Sequence, residues 1–403
     1  MILEIVLALL VGVILGTLTG LIPGIHINLV SAVLLSISAA LVASGIPPLA
    51  LVVFLVSVAI THTFIDFVPS IFLGAPDEAD TALSILPGHE MLLNGRAFHA
   101  VVYTLYGSMA ALGIILLFSP LFYFLLPVIY PYAERIMPVI LIVSSFFLIY
   151  MEKSSRIWAL VMFLLSGILG MVTLNLPVKE TLLPLFTGLF GVASLITSMN
   201  KKQKIPNQIV SKIKNIKIKM RSFFKSASAS VIASPLCSFL PGMGSGQAAV
   251  IGSSVIGDMS RKEFLVLLGS INTIVMGLSF ITLYSIGKAR TGVAAAVDSI
   301  MSLSSNDFFI ITPAIITSGI LAFFLAIFVA KLFSKSITMV NYRKLSVSVL
   351  VFLVLVNFIF SGWLGLCIMA VSTALGLLCI YSGVRRTHLM GCLVIPAIML
   401  FML

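Results

Sequence analysis

Long apolar stretches, many of roughly 15 to 23 residues with only short polar gaps between them, constrain this chain more than any other feature. At 1.5 Å of rise per helical residue, each can span or half-span a hydrocarbon layer about 30 Å thick. The composition agrees: 403 residues with 60% hydrophobic and 9% charged side chains lie far from the balance of a soluble domain. The chain therefore reads as an all-α, polytopic, multi-pass integral protein of the cell membrane, and a single anchor on a soluble domain is excluded. Met1-Ile2-Leu3-Glu4 leads directly into an apolar run without the basic start and small-residue cleavage site of a leader, so the first segment is expected to stay. Cys237, Cys367, Cys379 and Cys392 sit apart in apolar sequence, without CxxC or metal-ligand spacing, and read as packing residues.

Charge divides the chain. Nine basic residues and no acid fall between Lys201 and Lys225, while the remaining charges nearly balance. A short basic loop between hydrophobic segments marks the cytoplasmic side. Binding to nucleic acid would call for aromatic stacking residues or a folded basic domain, whereas attraction to anionic headgroups needs only the lysines. The expected organisation is a first repeat over residues 1–200, a basic cytoplasmic linker over 201–225 and a second repeat over 226–403.

Both parts open alike. Gly20-Leu21-Ile22-Pro23-Gly24 interrupts an apolar run in the first, and Phe239-Leu240-Pro241-Gly242-Met243-Gly244-Ser245-Gly246 does so in the second. Proline removes a helical hydrogen bond and glycine loosens the backbone; a broken helix is tolerated at membrane depth only where it faces protein or a water-filled cavity. After each break, an offset of 210 residues aligns Phe54-Leu55-Val56 with Phe264-Leu265-Val266. The same offset pairs Thr63 with Thr273, Ile71 with Ile281, Leu73 with Leu283, Ala79 with Ala289 and Thr81 with Thr291.

Walking outward from a cytoplasmic linker, hairpins over Ser230 to Ile256 and Gly287 to Ser304, with crossings at Phe264 to Ile286, Phe308 to Ala330, Val347 to Gly362 and Leu364 to Tyr381, bring every basic cluster of the second part inside. Backward, crossings at Leu182 to Ser198, Ile157 to Leu174, Val139 to Met151 and Phe98 to Phe118 place Lys153, Arg156 and Arg96 inside as well. Each part then holds an odd number of crossings, so the repeats are expected to be inverted, with about ten spans plus four re-entrant hairpins, or up to about fourteen membrane segments if the hairpins span fully. Inverted repeats with discontinuous helices are a plan of secondary transporters, with the substrate at the repeat interface.

The motifs carry a resemblance. Gly16-Thr17-Leu18-Thr19-Gly20-Leu21-Ile22-Pro23-Gly24, Phe72-Leu73-Gly74-Ala75-Pro76-Asp77-Glu78-Ala79-Asp80-Thr81-Ala82, Leu86-Pro87-Gly88-His89 through Gly95-Arg96-Ala97, and the second Leu240-Pro241-Gly242-Met243-Gly244 together resemble the large permease subunit of the tripartite tricarboxylate transporters. The resemblance covers both parts. It implies a membrane permease for di- or tricarboxylates, driven by a cation gradient and served by a small membrane subunit and an extracytoplasmic binding protein. Two departures stand out: Asp77, Glu78 and Asp80 replace small uncharged residues after the proline, and Gly287-Lys288-Ala289-Arg290-Thr291 lacks the proline.

In the alignment Glu78 falls opposite Lys288, and Asp80 opposite Arg290. Intramembrane charges are costly and usually pair or line a pathway. Lys288 and Arg290 are therefore candidate anchors for a small-molecule anion, and Asp77, Glu78 and Asp80 candidates for the coupling cation, against a plain reading as salt bridges or surface charges. Half-helix N-termini direct partial positive charge at anions, which adds Pro23, Gly24, Pro241, Gly242, Gly244, Ser245 and Gly246 to the substrate site, with Asn28 and Gln247 beside them. His62, Thr63 and Asp66, with Asn272 and Thr273 at the equivalent place, complete the polar set; His62 and Asp66 are assigned to the cation. His26, His62, His89 and His99 crowd the first hundred residues, but their spacing is not that of metal ligands, so neither a metal nor a cofactor is expected.

Two other classes compete. Asp77-Glu78-Ala79-Asp80 superficially suits the magnesium-diphosphate site of an intramembrane prenyltransferase, but the equivalent place in the second part is basic, and no nucleophile elbow, Walker loop or His-Glu-x-x-His occurs. A carrier or flippase of a lipid-linked phosphate fits the helix tips equally well. The lipid bilayer is the one partner that composition dictates; a homodimer stays open.

Overall fold

The computed structural model describes residues 2–22, 27–74, 79–178, 181–200, 205–239, 245–257, 259–337 and 342–402. The elements described are helical. In the first part they are α1 (Ile2–Leu21), α2 (Ile27–Ala43), α3 (Pro48–Ile65), α4 (Phe67–Leu73), α5 (Ala79–Leu93), α6 (Ala97–Tyr150), α7 (Arg156–Leu174), α8 (Leu182–Phe186), a π-helical turn (Thr187–Val192) and α9 (Ala193–Asn200). The second part holds α10 (Met220–Phe239), α11 (Ser245–Ile256), α12 (Arg261–Ile286), α13 (Gly292–Ile300), α14 (Ser305–Ser336), α15 (Tyr342–Tyr381), a 3-10 turn (Arg386–Met390) and α16 (Gly391–Met402). Among the described residues seven helical stretches are long and apolar enough to cross a membrane, and shorter apolar helices accompany them.

Two of the seven form the centre. Pro48–Leu73 (α3 with α4) and Arg261–Ile286 (α12) each have 89% of their apolar window buried, whereas α1 and the stretches Ala97–Tyr132 and Ser346–Tyr381 have 22%. The outer helices present Leu7, Ile14, Leu18, Leu117, Phe124 and Ile359 to the surroundings, as helices in contact with lipid must. The two central spans are the segments matched by the 210-residue offset.

Small residues let these helices approach. Gly12, Gly16 and Gly20 stand one turn apart on α1, and a side chain there would collide with Ser57, Thr61 and Ile65 respectively, so α1 runs parallel to α3 with the backbones nearly touching. In α10 the same role falls to serines. Ser226 Oγ donates to the Glu263 carbonyl at 2.8 Å, and Ser230 Oγ lies 2.8 Å from Ser270 Oγ, so α10 runs parallel to α12. Ser108 Oγ donates to the Gly269 carbonyl where α6 crosses α12, and Gly107 leaves no room there for a side chain.

Helix α6 departs from the sequence reading. Its 54 residues run without a break, and the crossings expected at Phe98 to Phe118 and Val139 to Met151 both lie on it. The helix carries Pro120, Pro127, Pro131 and Pro138. Each proline removes only one hydrogen bond, and with no water competing for the freed carbonyl the helix continues through it. In α15, by contrast, Gly362 adopts φ +64° and ψ −160°, a break that separates the crossings expected on either side of it. Cys237, Cys379 and Cys392 are buried as expected, whereas Cys367 is exposed on α15.

The basic linker is docked rather than loose. Gln208 accepts a hydrogen bond from the Ala97 amide at 3.0 Å and donates to the Leu92 carbonyl, while Ile209 N donates to Gly95 O. Tyr106 donates to the Ile216 carbonyl at 2.9 Å. Gly95 makes this possible: its φ is +69°, and a Cβ would sit 2.8 Å from the Asn207 carbonyl oxygen. The Gly-Arg-Ala element is thus the seat of the linker.

Candidate functional site at the crossing of the central helices

Helices α3 and α12 meet through polar side chains. Thr63 Oγ1 lies 3.2 Å from Thr273 Oγ1, and each residue is at most 1% exposed. The Thr63 hydroxyl donates to the Ile60 carbonyl at 2.9 Å, so the proton between the two threonines comes from Thr273. One turn further along α3, the Asp66 carboxylate accepts from Asn272 Nδ2 at 2.8 Å. Progress from Thr63 to Asp66 thus moves the partner back from Thr273 to Asn272, and the helices cross in opposite senses. Pro69 lacks an amide, so the Ile65 carbonyl is spared its usual helical partner beside Asp66.

His62, 2% exposed, completes the cluster from the α1 side: its Nδ1 is 3.2 Å from Thr19 Oγ1. The Thr19 hydroxyl also lies 3.2 Å from the Gly16 carbonyl, to which it donates. Thr63, Asp66, Asn272 and Thr273 therefore form a buried polar crossing at mid-span, and His62, one helical turn before Asp66 on α3, is buried against Thr19 of α1. A buried carboxylate at such a crossing is suited to exchanging a proton or ligating a small cation.

The other expected residues lie around this core. Asn28, in the first turn of α2, packs against the start of α13, where a Cβ on Gly292 would fall 2.6 Å from its Oδ1. The α13 N-terminus is capped by the Thr291 hydroxyl, which accepts from Ala294 N at 3.1 Å and lies 3.2 Å from Ser279 of α12. Ser245 and Gly246 are buried in the first turn of α11. Pro23, Gly24, Asp77, Glu78, Pro241, Gly242 and Gly244 lie outside the described residues, as do the side chains of Asp80, in the first turn of α5, and of Gln247.

Lys288 and Arg290 stand apart from the central cluster, at the end of α12 beyond Gly287. Both turn toward α6, with Arg290 Cζ 5.1 Å and Lys288 Nζ 6.0 Å from the centre of the Tyr130 ring. The Arg290 Nε and Nη2 atoms are buried without a hydrogen bond among the described residues. Tyr123, Tyr284 and Phe308 stack in a file on the same side, with centroids 5.3 and 4.9 Å apart.

The sequence reading missed one charged cluster altogether. Glu152, buried in the loop between α6 and α7, accepts from Arg385 Nε at 3.1 Å, His388 Nε2 at 2.9 Å and the amides of Lys153 and Ser154. Arg385 also bonds the Met151 carbonyl, and Arg386 bonds Ser194. Burial alone would push the Glu152 carboxyl up, but the hydrogen bonds from His388 and the amides, with the Arg385 charge, hold it at about 2. This ties the first part to the second at a helix end. No local pattern announces it, because the partners are more than 230 residues apart.

Comparison with known proteins decides the family. A family model described as the tripartite tricarboxylate transporter TctA family matches residues 6–391, nearly the whole chain and both parts alike. The chain belongs to that family. An uncharacterised protein of Methanocaldococcus jannaschii, MJ1079, is 32% identical over 359 residues, covering 87% of this chain and 88% of its own. No solved structure matches. The family is that of the large membrane subunit of tripartite transporters, so the chain is an integral, multi-pass transporter component with partner proteins. Membership points away from an enzyme.

Proposed function

We propose that the chain is the permease of a secondary active transporter that moves a small organic anion, a carboxylate, together with Na⁺ or H⁺. The contact between Thr63 and Thr273 carries this reading. Residues related by the repeat offset can touch each other only at a pseudo-two-fold axis, and the opposed crossing of α3 and α12 suits an axis in the membrane plane. Residues 1–200 and 226–403 are then inverted repeats joined by the linker. The polar cluster lies at their interface, where such transporters bind their cargo.

Two roles follow from chemistry. His62 and Asp66 take the coupling cation, since a buried carboxylate is held at a cost that binding a cation relieves. Arg290, with donors buried and unbonded, and Lys288 attract the anion, aided by the helix starts at α2 and α11. An inside-negative potential of 100 mV opposes each inward negative charge by about 2.3 kcal/mol, so an imported carboxylate requires a co-transported cation.

Proteoliposome uptake of a panel of labelled di- and tricarboxylates, with imposed Na⁺ or pH gradients and the family's accessory subunits supplied, tests the reading. Asp66→Asn should abolish gradient-driven uptake while leaving exchange of preloaded anion, and Arg290→Gln should raise the apparent KM about tenfold. Uptake of a cationic substrate, or gradient-driven uptake untouched by Asp66→Asn, would overturn it.

A further inference from the structure

A groove of about 920 Å³ opens where the linker passes over the two parts, with Arg96, Lys217, Lys219, Arg261 and Lys262 on its walls and Glu263 the one acid among its lining residues. Arg261 is paired with Glu90. Glu263 is engaged by the Ser260 amide at 2.7 Å and the Ser260 hydroxyl at 3.0 Å, closing the cap of α12. Arg96, Lys217, Lys219 and Lys262 are exposed, so the groove carries a concentrated positive charge drawn from three separate segments.

Its depth is fixed by the helices that begin there. α6 starts at Ala97, α10 at Met220 and α12 at Arg261; α12 runs parallel to both of the others, so all three begin at the same face of the membrane. The groove therefore sits at the level of the lipid headgroups. Beside Lys219 and Ser222, α10 turns Met220 and Phe224 outward, one helical turn apart and 65% and 60% exposed. An apolar pair projecting next to a basic groove suits an acyl chain beside a phosphate.

We infer that this groove is a binding site for the headgroup of an anionic phospholipid, which bridges the linker to both parts of the permease. A phosphate held by Lys217 and Lys219 of the linker, Arg96 of the first part and Lys262 of the second neutralises charges that otherwise repel one another. It thereby clamps the docked linker.

Thermal unfolding of the purified full chain in neutral detergent tests the inference. Added phosphatidylglycerol should raise the Tm on the order of 5 °C, and phosphatidylcholine should not. The exposed triple substitution Lys217→Gln, Lys219→Gln, Lys262→Gln should remove that rise, while Lys331→Gln with Lys335→Gln, in the last turns of α14, should retain it. Retention of phosphatidylglycerol in native mass spectrometry supplies a second readout if the triple variant has a low starting Tm. Met220→Ser with Phe224→Ser should weaken the lipid effect and leave any effect of inorganic phosphate unchanged. Equal stabilisation by both lipids, a full rise in the triple variant, or inorganic phosphate alone reproducing the whole effect would overturn the lipid site.

Discussion

At the scale of single residues, the informative groups are polar ones that the fold buries away from water. Glu152 is the clearest, because its depressed acidity measures how strongly its surroundings favour the charged form. A carboxyl held at about 2 in the folded chain, against 4.5 ordinarily, contributes stability that is fully present above 4.5 and is lost as the pH falls toward 2. Glu152→Gln leaves Arg385 buried in part without its partner and should cost about 3 kcal/mol at neutral pH. In thermal unfolding across pH 7 to 3, wild type should converge on the variant only at the acid end; a constant gap would show that the charge is not the cause. Asp66 differs in kind, since Asn272, which donates to its carboxylate, is neutral and brings no charge to fix it. On the proposed function, that difference separates a carboxylate that locks from one that exchanges.

Among the helices, close approach decides what pairs with what. α1 lies flat on α3 only because positions 12, 16 and 20 are glycine, and at Gly16 a Cβ would meet the Val58 carbonyl and the Thr61 side chain. Gly16→Leu should therefore separate the helices and cost at least about 1–3 kcal/mol, read as a loss of monodisperse protein in detergent or a lower Tm. Leu18→Ala, on the exposed face of the same helix, should be nearly silent. Equal effects at both positions would remove the glycine stripe from the packing. In α10 the serine stripe packs as closely while also bonding across to α12.

For the whole molecule, the testable geometry is the crossing at Thr63 and Thr273. In a chain freed of Cys237, Cys367, Cys379 and Cys392, Thr63→Cys with Thr273→Cys should form a disulfide under mild oxidation, since the hydroxyl oxygens are 3.2 Å apart. Cleavage at a protease site inserted in the linker would then leave the two parts joined on a non-reducing gel and separate after reduction. Separation without reductant would contradict the crossing. If transport requires the parts to rock about this axis, the cross-link should also stop uptake, reversibly.

The apolar runs by themselves determined that this is a polytopic helical membrane protein, because a helix satisfies its own backbone in hydrocarbon and needs runs of about this length, whereas a barrel strand needs only about ten residues. The motifs led to the right family, and the 210-residue offset picked out Thr63, Asn272 and Thr273 before their contact was visible. The tertiary structure decided the rest. Hydropathy assigns the same value to a leucine facing lipid and one facing protein, so it left open that α3 and α12 are the buried pair and α1 an outer helix. Two separate crossings were expected where α6 continues unbroken through four prolines; a missing hydrogen bond ends a helix only when something better awaits the freed carbonyl. Arg385 and His388 meet Glu152, and the linker is seated on Gly95, through contacts between residues far apart in the chain. Such pairings are chosen by the packing of whole helices, and no local pattern in the sequence encodes them.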